Sequence, residues 1–240
     1  WLCDRAMDFI GENSDRPFCY MISLPDPHGP NTVRAPYDTM YDNAAVPIPI
    51  SLVRKPEQIP AWGKPAGVKP EQLQKLMRSY YGMVKCIDDN VGQVLDTLRE
   101  RKLLDRTIIV FTSDHGDLCG EHGRLNKGVP YEGSARIPFL IHCPGKIKGN
   151  TVVNAALGTV DFLPTVLSLM DTPVPHKVDG RNAAALFADP KADDWEDIAF
   201  VRSTGQPGRS GTAWISAITE QFKLVYSTNE EPWLIDLKND

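Results

Sequence analysis

The sequence predicts an α/β fold, because helix-type and strand-type apolar patterns alternate along most of its 240 residues. Apolar side chains recur at steps of three and four residues from Leu73 to Leu98, which is typical of one long amphipathic helix. An unbroken β-branched and aromatic run from Thr107 to Phe111 indicates a strand buried on both faces of a largely parallel sheet. Short apolar runs close together after residue 198 predict a small antiparallel sheet at the carboxyl end.

Each predicted element has a local sequence signal. An amphipathic pattern predicts a helix from the first residues onward, and residues 18–24 form an apolar, strand-like run. Residues 47–70 are rich in proline and predict an irregular stretch, after which Pro70 opens the long helix at residues 71–102. The remaining predictions are a helix at 161–170 and strands at 107–113, 139–142, 199–202, 213–219, 222–227 and 233–237.

The chain is long enough for one large domain with a small appendage. The acidic, proline-containing segment 189–197 has the composition of a linker. We therefore expect an α/β domain over residues 1–188 and an antiparallel β subdomain over residues 189–240.

Composition excludes several classes of function. A formal net charge of −5 argues against nucleic-acid binding, which needs a basic patch or stripe. The apolar runs fall well short of the roughly 20 residues that a membrane-spanning helix needs. Five cysteines show no metal-binding spacing, and an odd count favours a reducing compartment.

Charged and imidazole side chains follow the strand that begins at Thr107. Asp114 and His115 come directly after it, and Gly116 allows the chain to turn. In open α/β sheets, ligands bind beyond the carboxyl ends of strands, and a carboxylate beside an imidazole can hold a divalent cation from two sides. The alternative is that Asp114 caps a turn and His115 is bonded to backbone.

Lys127 lies farther along the same segment, in a stretch punctuated by glycine and proline. Its ammonium could project into the same crevice and meet an anion, or it could be a solvated surface lysine. Nearby, Arg136 could contact an acidic substrate, but Glu132 lies one helical turn earlier, which favours an ion pair between the two. Two further acidic residues, Asp88 and Asp89, fall within the long helical pattern and are expected on the helix surface.

Several segments together resemble the sulfatases, a branch of the alkaline-phosphatase-like superfamily. The strongest is the run SDHGDLCGEHGRLNKGVPYEGSARIPFLIHCPGKI, and the other similar segments are PFCYMISLPDPHGP, RSYYGMVKCIDDNVGQVLDTL, VDFLPTVLSLM, VDGRN and QFKLVYSTNEEPWLIDLKND. The resemblance covers nearly the whole chain. It implies part of an alkaline-phosphatase-like sheet flanked by helices.

The resemblance also implies roles for particular residues. Asp114 and His115 are similar to a pair of metal ligands, most naturally for Ca²⁺, and Lys127 to a lysine that binds sulfate oxygens. His28 is similar to a histidine that contacts the sulfate and the leaving oxygen, where an imidazole can give a proton near neutral pH. Apart from the resemblance, His122 lies on the same loop as Lys127 and could touch substrate, although loop position alone does not assign it a role.

Two parts of the sulfatase pattern are absent from these residues, the nucleophile motif and the family's first metal-binding acidic pair at the end of an N-terminal strand. Sulfatases attack with a formylglycine made from Cys/Ser-x-Pro-x-Arg, and the 240 residues contain no such motif. The sequence begins with Trp1, and we expect the chain to be the carboxyl-side portion of a sulfatase, with the formylglycine in a preceding part. The fragment alone is then expected to be inactive. Family resemblance implies a secreted, periplasmic or lysosomal protein.

Three functions therefore remain open at the level of sequence. The first is a metal-dependent hydrolase of a small-molecule or saccharide sulfate ester. The second is a related hydrolase of phosphonate monoesters or phosphodiesters, because the same side chains would stabilise either tetrahedral anion. The third is a non-catalytic module that binds anions.

Overall fold

The computed structural model describes residues 1–190, 192, 194–204, 213–228 and 230–239. It divides into two compact units, which are Trp1–Leu52 with Gly67–Thr107, and Val53–Ala66 with Ile108–Asp240. The predicted domain boundary between residues 188 and 189 is a different division, and it stays a prediction.

The first unit is built on two helices that pack against each other, α1 (Leu2–Glu12) and α2 (Pro70–Glu100). Both helices were predicted from apolar periodicity, and Pro70 occupies the first turn of α2 as expected. Position 82 of α2 needs a glycine for steric reasons, because a Cβ there would lie 2.3 Å from the Tyr37 carbonyl oxygen. The helix can therefore approach the Tyr37 segment only because this position has no side chain.

Asp88 and Asp89 lie on α2, as the sequence indicated. Asp89 accepts a hydrogen bond of 2.9 Å from the Tyr37 hydroxyl and forms an ion pair with Lys85. The hydrogen bond from Lys85, followed by that from Tyr37, lowers the pKa of the Asp89 carboxyl. Asp89 is thus a helix-surface anion with structural partners.

The strand predicted at residues 18–24 is not formed among the described residues, where this segment pairs with no other strand. An apolar run makes extended backbone favourable, but a strand also needs a hydrogen-bonded partner. A local pattern does not specify that partner.

The second unit contains a pair of antiparallel strands, β1 (Ile109–Thr112) and β2 (Phe139–His142). The expectation of a strand buried in a largely parallel sheet is wrong here, because β1 pairs antiparallel with β2 and Phe111 is exposed. A continuous apolar run indicates that a strand lacks a polar face, but it carries no information on the direction of the neighbouring strand.

A four-stranded antiparallel sheet follows, in the order β3 (Ala199–Ser203), β4 (Trp214–Ile218), β5 (Phe222–Ser227) and β6 (Glu230–Asp236). This confirms the antiparallel sheet predicted at the carboxyl end. In β5 the burial is unusual, because Lys223 points inward while its apolar neighbours Phe222 and Leu224 are exposed. The remaining helices of this unit are α3 (Glu132–Ala135), α4 (Phe162–Leu169) and α5 (Ala184–Ala188).

Short 3₁₀ turns connect the main elements of both units. They span Ile50–Leu52, Pro56–Gln58, Ala61–Gly63, Leu104–Arg106, Glu121–Gly123 and Thr159–Asp161. In the part of the chain that the structure describes, no helix combines the length and the apolar character required to cross a membrane.

Among the described residues, two apolar clusters lie in the core of the second unit. One lies beside β2 and consists of Cys143, Leu169, Ala183, Leu186 and Phe187. The other joins the segment between β1 and β2 to the inner face of the four-stranded sheet, and consists of Trp62, Leu118, Val129, Tyr131, Trp214 and Val225. This second cluster fixes the segment that carries the predicted site residues.

Candidate active site

The predicted site residues of the second unit lie on residues 113–138, the segment between β1 and β2, which we call the site loop. The two sides of the loop are joined by backbone hydrogen bonds of 2.8–2.9 Å, from Gly116 to Ser134, from Leu118 to Asn126 and from Gly120 to Arg124. The loop therefore has a base near residue 116 and a tip at Glu121–Gly123.

Asp117 fixes the backbone beside Lys127. Its Oδ1 accepts hydrogen bonds from the N–H of Cys119 at 3.1 Å and of Asn126 at 2.9 Å. Asn126 and Gly128, on either side of Lys127, have left-handed backbone with φ of 66° and 95°. Asparagine and glycine tolerate this conformation better than other residues. The position of the lysine along the loop is thus set by a carboxylate and by two residues suited to the turn.

Asp114 and His115 form a pair at the base of the loop. The side chain of Asp114 is 85% exposed and that of His115 is 34% exposed. Asp114 Oδ1 accepts the His115 backbone N–H at 3.0 Å, while His115 Nδ1 lies 2.8 Å from the Gly116 carbonyl oxygen. A carbonyl oxygen only accepts, so Nδ1 carries a hydrogen and the neutral ring has its lone pair on Nε2.

This arrangement offers a divalent cation two donor atoms, one carboxylate oxygen and one imidazole nitrogen. His115 Nε2 and Asp114 Oδ2 are 3.4 Å apart, so two electron-donating atoms face each other. A histidine that binds a metal usually donates its other ring N–H to a carbonyl or carboxylate, as His115 does to Gly116. The described residues contain no group of three or more His, Cys, Asp or Glu side chains arranged for a metal. The pair would therefore need further ligands.

His122 lies at the tip of the loop, with a left-handed φ of 54°. Its ring is parallel to that of Tyr131, with centroids 3.6 Å apart, and its Nδ1 is 2.7 Å from an Arg54 guanidinium nitrogen. A guanidinium only donates, so Nδ1 accepts and Nε2 carries the hydrogen. Burial, followed by the Arg54 charge, lowers the pKa of His122 to about 4. The ring is therefore neutral at physiological pH.

His28 belongs to the first unit, whereas Asp114, His115, His122 and Lys127 belong to the second. His28 is exposed, and its Nδ1 lies 2.8 Å from the carbonyl oxygen of Gly29. The same geometry occurs at His115, so in both histidines the lone pair of the neutral ring is on Nε2. The convergence of these residues on one pocket stays a prediction.

Cys119 is the one cysteine of the site loop. Burial, followed by the charge of Asp117, raises the pKa of its thiol to about 12. A thiol that stays protonated is a poor nucleophile. Cys119 is therefore a packing residue of the loop, and its side chain does not replace the absent formylglycine motif.

The structure adds two residues that sequence reasoning did not assign to this region. Lys223 of β5 is only 1% exposed, and its ammonium donates to the Pro130 carbonyl oxygen at 2.8 Å and forms an ion pair with Glu132. The expected pair between Glu132 and Arg136 is thus replaced. Glu132 pairs with Lys223, which reaches it from the sheet and is 91 residues away along the chain. The one-turn spacing of Glu132 and Arg136 could not indicate this long-range partner.

Arg54 is the second unassigned residue. It lies in the proline-rich stretch, where the sequence indicated only irregular structure, and a lone arginine there carries no motif. Its contact with His122 spans 68 residues of sequence. The only local signal is a basic residue next to several prolines, which is too common to indicate a site.

With this geometry established, comparison with known proteins identifies the family. Residues 2–172, well over half of the chain, match the sulfatase family model. The chain belongs to the sulfatase family. Residues 120–240 also match the model of the carboxyl-terminal region of N-sulphoglucosamine sulphohydrolase. The family predicted from the site loop is therefore confirmed.

A similar protein of known type agrees with the family assignment. An arylsulfatase of Clostridium perfringens (strain 13 / Type A) is 30% identical over 251 residues, which cover 100% of this chain and 51% of that protein. The chain thus spans about half the length of this sulfatase relative.

Solved structures confirm the alkaline-phosphatase-like fold. A protein in complex with its substrate D-glucosamine-2-N,6-O-disulfate has a TM-score of 0.89 at 24% identity, covering 100% of this chain and 63% of that chain. A phosphonate monoester hydrolase from Silicibacter pomeroyi has a TM-score of 0.86 at 26% identity, covering 99% and 53%.

Proposed function

We propose that the whole protein is a metal-dependent sulfatase that hydrolyses a sulfate monoester. The observation that carries this proposal is one braced loop in a sulfatase-family chain, with a metal-type Asp114–His115 pair at its base and Lys127 on its returning side. Sulfuryl transfer spreads negative charge over the equatorial oxygens, and positive groups held in advance stabilise that charge.

The proposal gives each residue a separate task. Asp114 and His115 would hold a Ca²⁺ ion, which when bound would supply positive charge for sulfuryl transfer. Lys127 binds sulfate oxygens through its ammonium. His28, entering the step as the imidazolium, gives its Nε2 proton to the leaving oxygen and becomes the neutral ring, whose remaining hydrogen on Nδ1 is bonded to the Gly29 carbonyl. The nucleophile is a formylglycine, for which these 240 residues have no source motif.

The proposed substrate class is a sulfated saccharide. Support comes from the structural neighbour in complex with D-glucosamine-2-N,6-O-disulfate and from the match of residues 120–240 to the N-sulphoglucosamine sulphohydrolase model. A phosphonate monoester is the second candidate, favoured by the likeness to the Silicibacter pomeroyi hydrolase. Turnover of an aryl sulfate against an aryl phosphonate by the whole protein separates the two.

The Lys127→Ala variant of the whole protein tests the catalytic role. We expect turnover of an aryl sulfate to fall by about 100-fold or more, because a positive charge held in advance is removed. Lys148→Ala is the matched control, since Lys148 is exposed and lies outside the site loop. Circular dichroism should show both variants folded. Wild-type turnover by Lys127→Ala would contradict the role of Lys127, and no sulfate turnover by the wild type would contradict the function.

The Asp114→Ala variant tests the metal pair. Calcium affinity and sulfatase activity should fall together, because the variant loses one of two donor atoms at the base of the loop. Calorimetric titration of the metal-free whole protein with Ca²⁺ measures the affinity. Asp117→Asn is a useful comparison, because Asp117 braces the backbone and should alter metal affinity less. Equal calcium affinity before and after Asp114→Ala would exclude Asp114 as a ligand.

A further inference from the structure

Arg54 at the tip of the site loop has an unusual environment for a half-buried guanidinium. It donates to His122 Nδ1 at 2.7 Å, and within the described residues it makes no ion pair with a carboxylate. Partly buried arginines generally have an anionic partner, because removing their charge from water is unfavourable. The guanidinium of Arg54 is instead held in place by a neutral ring.

His122 cannot balance the charge of Arg54. Its depressed pKa keeps the imidazole neutral, and its ring is stacked on the buried Tyr131, which limits its freedom to turn away. The Arg54 side chain is therefore oriented by a rigid hydrogen-bond acceptor, while its positive charge is retained. Orientation without neutralisation is what an anion-binding arginine requires.

A second guanidinium, that of Arg124, lies near the same tyrosine ring as Arg54. Arg124 donates to the Lys64 carbonyl oxygen, and its Nε is buried with no hydrogen-bond partner among the described residues. Burial raises the pKa of the Tyr131 hydroxyl, and the charges of Arg54 and Arg124 act in the opposite direction, so both lie near this ring. Glu230, the carboxylate that also affects Tyr131, accepts hydrogen bonds from Ala61 N and Trp233 Nε1.

The tip lies within reach of a ligand bound at Lys127. His122 is separated from Asn126, the residue before Lys127, by four positions, so their Cα atoms can be at most about 14 Å apart. The backbone bond between Gly120 and Arg124 folds the tip back and shortens this span. A sugar unit with a second substituent could therefore contact both ends of the loop.

We propose that Arg54, oriented by His122, binds a second anionic group on the substrate, a sulfate or carboxylate beyond the one that is cleaved. The planar fork of a guanidinium matches the paired oxygens of either group. This inference rests on the proposed sulfatase function and narrows its substrate to saccharides with more than one anionic group. Arg54 is then a specificity residue, while Asp114, His115 and Lys127 serve the cleaved ester.

Calorimetric binding to the whole protein tests this inference, with D-glucosamine 6-sulfate and D-glucosamine N,6-disulfate as the two ligands. Arg54→Gln should weaken binding of the disulfate by about 10- to 100-fold, because a charge-assisted hydrogen bond is lost. The monosulfate should bind within about threefold of the wild type. Arg54→Lys should recover only part of the loss, because an ammonium lacks the planar fork. Arg202→Gln, at an exposed arginine of β3, is the charge-matched control.

Several results would overturn the proposal. These are equal binding of the two ligands by the wild type, no binding of either, or an equal loss for both in Arg54→Gln, which would indicate that Arg54 only supports the loop. Turnover is measured separately on the same samples. If the wild type binds the disulfate through Arg54 but hydrolyses neither compound, the proposed function fails while the second anion site is supported.

Discussion

Arg181 and Arg54 are both half-buried arginines of the second unit, but their surroundings differ. Arg181 forms an ion pair with Asp161, donates at 2.7 Å to the carbonyl oxygens of Glu196 and Ile198, and lies 4.0 Å over the ring of Trp195. The Arg181 guanidinium therefore has several acceptors around Asp161. Among the described residues, Arg54 at the tip of the site loop has one acceptor, the neutral ring of His122.

Asp161 completes the contrast. Its side chain is 2% exposed, and its carboxylate accepts the backbone N–H groups of Gly158 at 2.9 Å and Arg181 at 2.7 Å. The Asp161 carboxylate and the Arg181 guanidinium thus both have partners inside the protein, which is typical of a structural network. A charge without such a partner is better explained by a ligand.

The largest expected effect compares the two arginines directly. Arg181→Gln should lower the free energy of unfolding by about 3 kcal/mol, because it leaves the buried Asp161 carboxylate without its counter-charge. Arg54→Gln should change it by less than about 0.5 kcal/mol. Urea unfolding of both variants measures the difference. Similar losses for the two variants would break the comparison.

A smaller effect is expected at the buried lysine that supports the site loop. Lys223→Met should cost about 2 kcal/mol of unfolding free energy, since Glu132 loses its partner but is itself 38% exposed and can be hydrated. Glu132→Gln in the same background should restore part of the loss. A double-mutant cycle by urea unfolding gives the coupling. Additive effects of the two substitutions would show that the ion pair contributes nothing.

The smallest effect is the pH dependence due to His122. Unfolded, this histidine takes up a proton near pH 6.5, but in the folded protein its pKa is about 4. Between pH 6.5 and pH 4 the unfolded state therefore binds more protons than the folded state. The contribution of His122 to the free energy of unfolding is fully present above pH 6.5 and is lost as the pH falls to 4. Because His122 is partly exposed, we expect this contribution to the free energy of unfolding to be about 1 kcal/mol. Urea midpoints between pH 4 and 7 should vary less in His122→Asn than in the wild type, and an unchanged slope would exclude His122.

The sequence predicted those parts of the fold that depend on local patterns. The helix at α2, with Pro70 in its first turn, and the β2 strand follow from periodicity and proline placement. The prediction that β1 lies in a largely parallel sheet was wrong, because the apolar run of β1 carries no information about the direction of the strand beside it. The strand at residues 18–24 was wrong because a partner is a long-range property.

The candidate site was predictable where residues adjacent in sequence are also adjacent in space. Asp114 and His115 are neighbours on one turn, and their contacts with Gly116 are local. Lys223 and Arg54 were missed because each reaches the loop from a distant segment. A binary apolar pattern even predicts the wrong face for Lys223, because the exposed residues beside it are apolar.

The inward position of Lys223 has a consequence for how the sheet chooses its alignment. If β5 slipped by one residue, Phe222 and Leu224 would turn inward and Lys223 would turn outward, which burial of apolar surface alone would favour. The observed alignment retains the ion pair with Glu132 and the bond to the Pro130 carbonyl. Lys223 thus stabilises the observed register of β5 against a one-residue shift. Because its partners lie on the site loop, the register of the sheet and the conformation of the loop depend on each other.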